Sequence, residues 1–147
     1  KFFGDVKDRW RQWLPLVWHF LLVMFVNMFG VILMTGVVLY IFKAKHVPLY
    51  PGHDAPTIPK DAFQAIYNAC AFLGDFSSRR VMYRYVKRRL HPCLVFLPLC
   101  VGLALGLCRV AILAWPGMFL VMFGNGALYA TTNKYVDDLV PRQFTLV

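Results

Sequence analysis

"LPLVWHFLLVMFVNMFGVILMTGVVLYIF", Leu14 to Phe42, is a run of 29 residues without a charged side chain. A helix needs roughly 20 such residues to cross the hydrocarbon of a bilayer. The excess is absorbed by tilt or by protrusion into the interface. The run therefore predicts a membrane span. Asn27 and Gly30 are three apart inside it and share one helix face, the polar-plus-small signature of a helix–helix contact. Pro15, near the start, suits a first helical turn.

The composition points the same way. The 147 residues are 59% hydrophobic and 16% charged, against roughly 45–50% and 25% in ordinary soluble domains. The net charge is +9, and all seven acids are aspartates. A basic soluble protein would suggest a nucleic-acid partner. Here the cations sit in blocks between apolar runs, which fits the loops of a membrane protein and excludes nucleic acid as the expected partner. The chain opens on Lys1 and ends on Val147 in mid-pattern, so it reads as a portion of a longer protein. The first apolar run is far longer than the core of a signal peptide. Cys70, Cys93, Cys100 and Cys108 form no CxxC pair and read as small apolar packing residues.

Three further apolar segments follow. The head, "KFFGDVKDRWRQW", mixes cations with tryptophan and reads as interfacial. The connection 43–61 carries four prolines and a glycine, which exclude a helix through it. His46, His53 and Asp54 in that connection match no metal-ligand spacing, so no metal site is expected. The second span is placed at 62–78, followed by a basic loop, 79–89, with six cations. The third is placed at 90–114, interrupted by Pro92 and Pro98, with Gly102 and Gly106 as a small-xxx-small pair. "WPG", Trp115–Gly117, reads as a tight interfacial turn, and the fourth span as 118–132 around "GNG", Gly124–Gly126. The expected fold is all-α: a polytopic transmembrane helical bundle of four spans occupying 1–147. Head, middle loop and tail together hold twelve cations, and the other side holds Lys43, Lys45, Lys60 and Arg109. The positive-inside bias makes both ends and the 79–89 loop cytoplasmic.

The second segment is the least apolar. Gln64, Asn68, Asp75 and Arg79, spaced four, seven and four, form one stripe with Ala71 at the missing step, while Phe63, Ile66, Phe72 and Leu73 occupy the other side. A charge at mid-bilayer costs about 2.5–3.5 kcal/mol on insertion scales, so the stripe predicts a face toward a bundle interior or a cavity. Two readings follow. Asp75 and Arg79 pair to anchor the helix end, with Gln64 and Asn68 bonding a neighbouring helix. Alternatively, the seam lines a path for a small polar solute. A carboxylate would accept from hydroxyls and a guanidinium would donate in a fixed fork.

"FLGDFSSR", Phe72–Arg79, resembles the Asp-x-x-x-Arg signature in a late span of the equilibrative nucleoside transporter family. The basic loop, a proline-containing span, "GNG" and "KYV", Lys134–Val136, follow in the same order. The resemblance implies the seventh to tenth spans of an eleven-span transporter, with Asp75 and Arg79 lining the cavity and engaging the solute. The chain departs from that family at Phe72, where asparagine is usual, at Ala127, where tyrosine follows Asn-Gly, and in a shorter stretch from Arg79 to Asn125. "FQAIYNACAF", "GALYATTN" and "PRQF" are similar to late segments of the battenin family of endolysosomal membrane proteins. Both families are related to the major facilitator superfamily, which implies the C-terminal part of a major-facilitator-like transporter. The expected function is thus facilitative or secondary transport of nucleosides or another polar metabolite, at the plasma or endolysosomal membrane. Substrate contacts are expected from Asp75, Arg79, Asn68, Gln64 and Asn125. The alternatives are a non-transporting membrane subunit or a battenin-like protein. Partners are the lipid bilayer and the remaining helices of the same protein or of a larger assembly. Neither a catalytic constellation nor a cofactor motif is present, so no enzyme is expected.

The orientation is open to direct measurement. A cysteine placed in 43–61 should be labelled from the extracytoplasmic side only, and one placed in 80–89 from the cytoplasm only. The reverse pattern overturns the span assignment.

Overall fold

The computed structural model describes residues 2–86 and 91–139. Lys1, residues 87–90 (the end of the basic loop and the expected start of the third span) and the tail 140–147, with Arg142 and "PRQF", lie outside the described residues. The elements in chain order are α1 (Phe2–Ile41), β1 (His46–Pro48), β2 (Thr57–Pro59), α2 (Lys60–Arg84), a 3-10 turn (Pro92–Val95), α3 (Phe96–Leu107) and α4 (Ala111–Leu139). The fold is mostly helical, in keeping with the all-α expectation.

Two helices among the described residues are long and apolar enough to cross a membrane, Val17–Ile41 in α1 and Ala111–Tyr135 in α4. Four were expected. α3 is apolar but only 12 residues long, about 18 Å at 1.5 Å per residue. α2 has the length, at 25 residues, but its polar stripe keeps it short of a span's apolarity. The boundaries shift as well. The expected third span, 90–114, ends at Leu107, and the fourth starts at Ala111 rather than 118. The reversal falls at Arg109, whose φ of 57° is a left-handed conformation uncommon outside glycine. Trp115–Gly117 is therefore no turn. Pro116 lies inside α4, near enough to its start that only the bond to Ile112 is forfeited. Pro15 likewise sits inside α1, which begins well before it. The proline-rich connection is not helical, but it does contain an antiparallel ladder that pairs Val47 with Ile58. Pro48 and Pro59 close the strand ends, where a missing N–H is tolerated. The Leu49 carbonyl accepts from Ile112 N–H at 3.2 Å, satisfying a first-turn donor of α4.

Side-chain contacts fix the helix directions. Gly74 of α2 lies against Phe119 and Phe123 of α4, and Gly126 against Asp75 and Ser78, so α2 and α4 run parallel. Gly102 of α3 meets Gly117 and Val121, so α3 opposes α4. Asn27 bonds Asn125 and Phe20 meets Tyr135, so α1 also opposes α4. The four helices thus alternate, with the ladder at one end and the α2–α3 connection at the other. α4 is the hub, packing against all three other helices. Of its apolar segment 56% is buried, against 22% for α1.

The α3–α4 contact depends on absent side chains. A Cβ on Gly102 would stand 2.5 Å from the Gly117 carbonyl oxygen, and one on Gly117 2.8 Å from that of Gly102. The Gly102–Gly106 pair therefore serves as the sequence predicts, and Gly106 also receives Met34 and Val38 of α1. The cysteines do not pack as expected. All four are free, and Cys93, Cys100 and Cys108 are exposed.

Gly102→Leu should destabilise the fold by about 1–3 kcal/mol, read as lost monodisperse protein on size-exclusion chromatography. Gly36→Leu, with nothing within 4 Å of its added Cβ, should elute as the parent does. Equal behaviour of the two variants rules out the α3–α4 contact.

Candidate functional site

α2 buries Phe63, Tyr67, Gly74, Ser78 and Met82. The polar stripe is displaced by one residue, about 100° around the helix. Gln64 and Asp75 are half-buried, whereas Asn68 and Arg79 are exposed. The stripe expected to face a bundle interior or a cavity runs along the edge of the α2–α4 contact. The reason is size. α2 approaches α4 to backbone distance, which Gly74 and Ser78 permit and a long charged side chain would not.

Within the stripe, Asp75 and Arg79 meet as a fork. Arg79 Nε lies 3.0 Å from Asp75 Oδ2, and Nη2 donates to Oδ1 at 3.2 Å. The guanidinium lies 5.7 Å from the ring centroid of Tyr129 on α4. On its other side Tyr129 directs its hydroxyl to Met28 Sδ of α1, at 3.9 Å. Tyr129 therefore lies between Arg79 of α2 and Met28 of α1. Toward the ladder the two helices meet directly, through Phe42 and Phe63 at 5.0 Å and through the Tyr67 hydroxyl, which donates to the Met34 carbonyl at 3.4 Å. Gln64 and Asn68 lie in that half, about 16 and 10 Å along α2 from Asp75 by helix rise.

Asn125 belongs to a different contact. It is 8% exposed, and its Oδ1 accepts from Asn27 Nδ2 at 2.6 Å. Among the described residues, Asn27 Oδ1 is buried without a partner, as are Thr132 Oγ1 and Trp115 Nε1. The structure thus brings Asp75 and Arg79 together and turns Asn125 toward α1. Its neighbour Gly126 makes the link: an added Cβ there would abut Ser78 Oγ and stand 2.8 Å from Asp75 Oδ1. "GNG" therefore serves both sides of α4, with the asparagine toward α1 and the second glycine toward α2.

The depth of these groups matters. Asn27 and Asn125 each lie two residues, about 3 Å, from the centres of the apolar segments Val17–Ile41 and Ala111–Tyr135. Asp75 packs on Gly126 at the same level. Sequence reasoning did not pick out Tyr129, although a signal existed: it lies four after Asn125 and three after Gly126 and so shares their side of α4. Nor did it give Lys134 a role. Lys134 Nζ donates to the carbonyls of Met82 (2.6 Å) and Val86 (2.9 Å), satisfying orphan acceptors where α2 ends.

A cavity of about 290 Å³ between α1, the 3-10 turn and α4 is lined by His19, Phe20, Val23, His91, Cys93 and Tyr135, and takes in none of the stripe. The His91 Nδ1 there accepts from Cys93 N–H at 3.3 Å. Among the described residues, no group of three or more His, Cys, Asp or Glu is placed to hold a metal ion. Compared with protein-family models, curated proteins and solved structures, the chain matches none.

The α2–α4 contact predicts a coupled pair of variants. Gly126→Ala should lower thermal stability by about 1–3 kcal/mol, the usual overpacking cost. Adding Ser78→Ala removes the nearest atom, Oγ, and should restore part of the loss. A double variant no more stable than Gly126→Ala alone counts against the contact.

Proposed function

We propose that this chain contributes its helices to an integral membrane solute transporter of facilitative or secondary type, with the Asp75–Arg79 fork as part of the solute path. The observation that carries the reading is the depth of the fork. It lies level with the middle of the two most apolar helices, where a charge costs about 2.5–3.5 kcal/mol and is kept for a reason. It is also open on one side, since the Arg79 side chain is 51% and the Asp75 side chain 26% exposed. A pair needed only as a helix anchor belongs at the helix end, where it costs little. Arg79 is five residues short of the end of α2.

The membrane setting itself is supported by α1. Phe25, Phe29 and Ile32 are 73%, 63% and 63% exposed, and Leu21 and Leu22 lie beside them. So much contiguous apolar surface calls for an apolar surround. α1 and α4 would then cross, with short α3 and α2 packed against α4 within the same layer. The Asp-x-x-x-Arg order, the basic loop and "GNG" support a nucleoside-transporter-like or wider major-facilitator-like assignment, and polar metabolites with vicinal hydroxyls as solutes. A non-transporting subunit, battenin-like or otherwise, is the second reading. Exposed Asn68 favours it, because a lateral amide on a helix suits a hydrogen bond to a partner helix.

Uptake by the purified, reconstituted protein separates the two. Asp75→Asn and Arg79→Gln should each abolish nucleoside uptake while the protein still accumulates in the membrane. The double variant should stay inactive. Full recovery in the double variant means the pair is structural, and the solute contact is then withdrawn.

A further inference from the structure

The outer face of α2, turned away from α4, changes character along its length. Ala65, Ile66, Ala69, Phe72, Leu73 and Phe76 form an exposed or half-buried apolar stripe, on which the Phe72 and Phe76 rings stack at 6.0 Å. One turn on, the same face carries Arg80 and Arg84, both exposed. Tyr83 and Tyr85 flank them, 56% and 67% exposed, with the Arg84 guanidinium 5.6 Å from the Tyr85 ring centroid. Among the described residues the salt bridge is Asp75–Arg79, which takes in neither Arg80 nor Arg84. The nearby cation Lys134 is taken up by the Met82 and Val86 carbonyls. Two like charges four apart on a helix disfavour each other, and an anion between them offsets that repulsion.

The level of the arginines identifies the kind of anion. Tyr83 accepts from Asn133 Nδ2 at 3.4 Å. Two residues on, Tyr135 closes the apolar segment of α4 and meets Phe20, ring to tilted ring at 5.1 Å, three residues inside the start of that of α1. Arg84 therefore lies at the boundary of the apolar layer and Arg80 one helical turn inside it, with phenylalanines below and tyrosines beside them. A soluble phosphate matches only the arginines, and a nucleic acid, though its bases can stack on phenylalanine, leaves the aliphatic Ile66 and Leu73 of the stripe uncovered. An anionic phospholipid matches both.

We propose that Arg80 and Arg84 bind the headgroup phosphate of an anionic phospholipid whose acyl chains lie along Phe72 and Phe76. Guanidinium is suited to the task, because its fork donates to two phosphate oxygens at once. The site rests on the membrane reading above but not on transport. A protein that is never membrane-inserted defeats that reading, whereas an inserted protein without headgroup preference defeats only this one.

The test measures phosphatidylserine against phosphatidylcholine retained by the intact protein, extracted from its membrane and analysed by native mass spectrometry. Two surface cations are expected to give roughly a thirtyfold preference for phosphatidylserine. Arg80→Gln/Arg84→Gln should abolish it, while Arg80→Lys/Arg84→Lys should keep most of it. No preference in the parent overturns the proposal, as does a preference unchanged in the glutamine variant. If the glutamine variant does not accumulate, the parent is assayed with inorganic phosphate or a short RNA as competitor at equal concentration. Displacement of the lipid by either overturns the lipid assignment, and retention supports it.

Discussion

Everything in this fold depends on α4 being approached to backbone distance on two sides at once. On one side Gly102 and Gly117 bring α3 and α4 together. On the other, Gly74 and Gly126 bring in α2. Where the surround is apolar, burying leucine against leucine gains little, because lipid would serve as well. Association then rests on van der Waals contact, which grows as backbones close, and on interhelical hydrogen bonds, which average only about 0.6 kcal/mol. The Asn27–Asn125 bond is thus worth less than the contacts the glycines permit. It fixes which face of α1 meets α4 rather than holding the two together.

The close approaches also decide where polarity can go. α2 gives its central face to Gly74 and Ser78, and the Ser78 hydroxyl turns back to the Asp75 carbonyl at 2.8 Å. Asp75 and Arg79 are displaced to the flank, beside Tyr129. The result is a carboxylate and a guanidinium held at mid-depth, each satisfied by the other and still partly open. The ladder end supplies the opposite condition. There Phe42, just past the end of α1, packs with Phe63 and Tyr67 of α2, and Leu49, just past β1, caps the start of α4.

How much of this was legible in the sequence varies by element. The 29 uncharged residues of Leu14–Phe42 leave little choice about α1. Asn27 with Gly30 announces a helix contact correctly, because spacing on a helix is geometry. The helix ends of α3 and α4 were not legible. "WPG" reads as a turn, and nothing local reveals that Arg109 adopts the left-handed conformation instead. The reversal goes with the docking of Gly117 on Gly102, a contact between helices that no short window contains. The stripe on α2 was legible as a stripe, since its four-seven-four spacing is again geometry. Its direction was not, because periodicity gives a face without saying which neighbour the face meets. A polar face and a small-residue face lie one position apart on α2, and only the partner decides between them.

The same competition explains why the site residues fall into two groups. α4 presents Asn125 and Gly126 side by side, roughly 100° apart around the helix. One must therefore look toward α1 and the other toward α2. A glycine toward α1 would leave Asn27 with no amide to meet, at a cost of about 1–3 kcal/mol for a buried group left unpaired. An asparagine toward α2 would collide with the Ser78–Asp75 turn. The order Asn-Gly thus suits the arrangement in which a polar bond and a close backbone contact are made at one depth on opposite sides of a single helix. The flanking glycine, Gly124, is buried too. Charge reaches that depth only from the side, through Asp75 and Arg79, because the interior positions at that level are already committed to small or mutually bonded side chains.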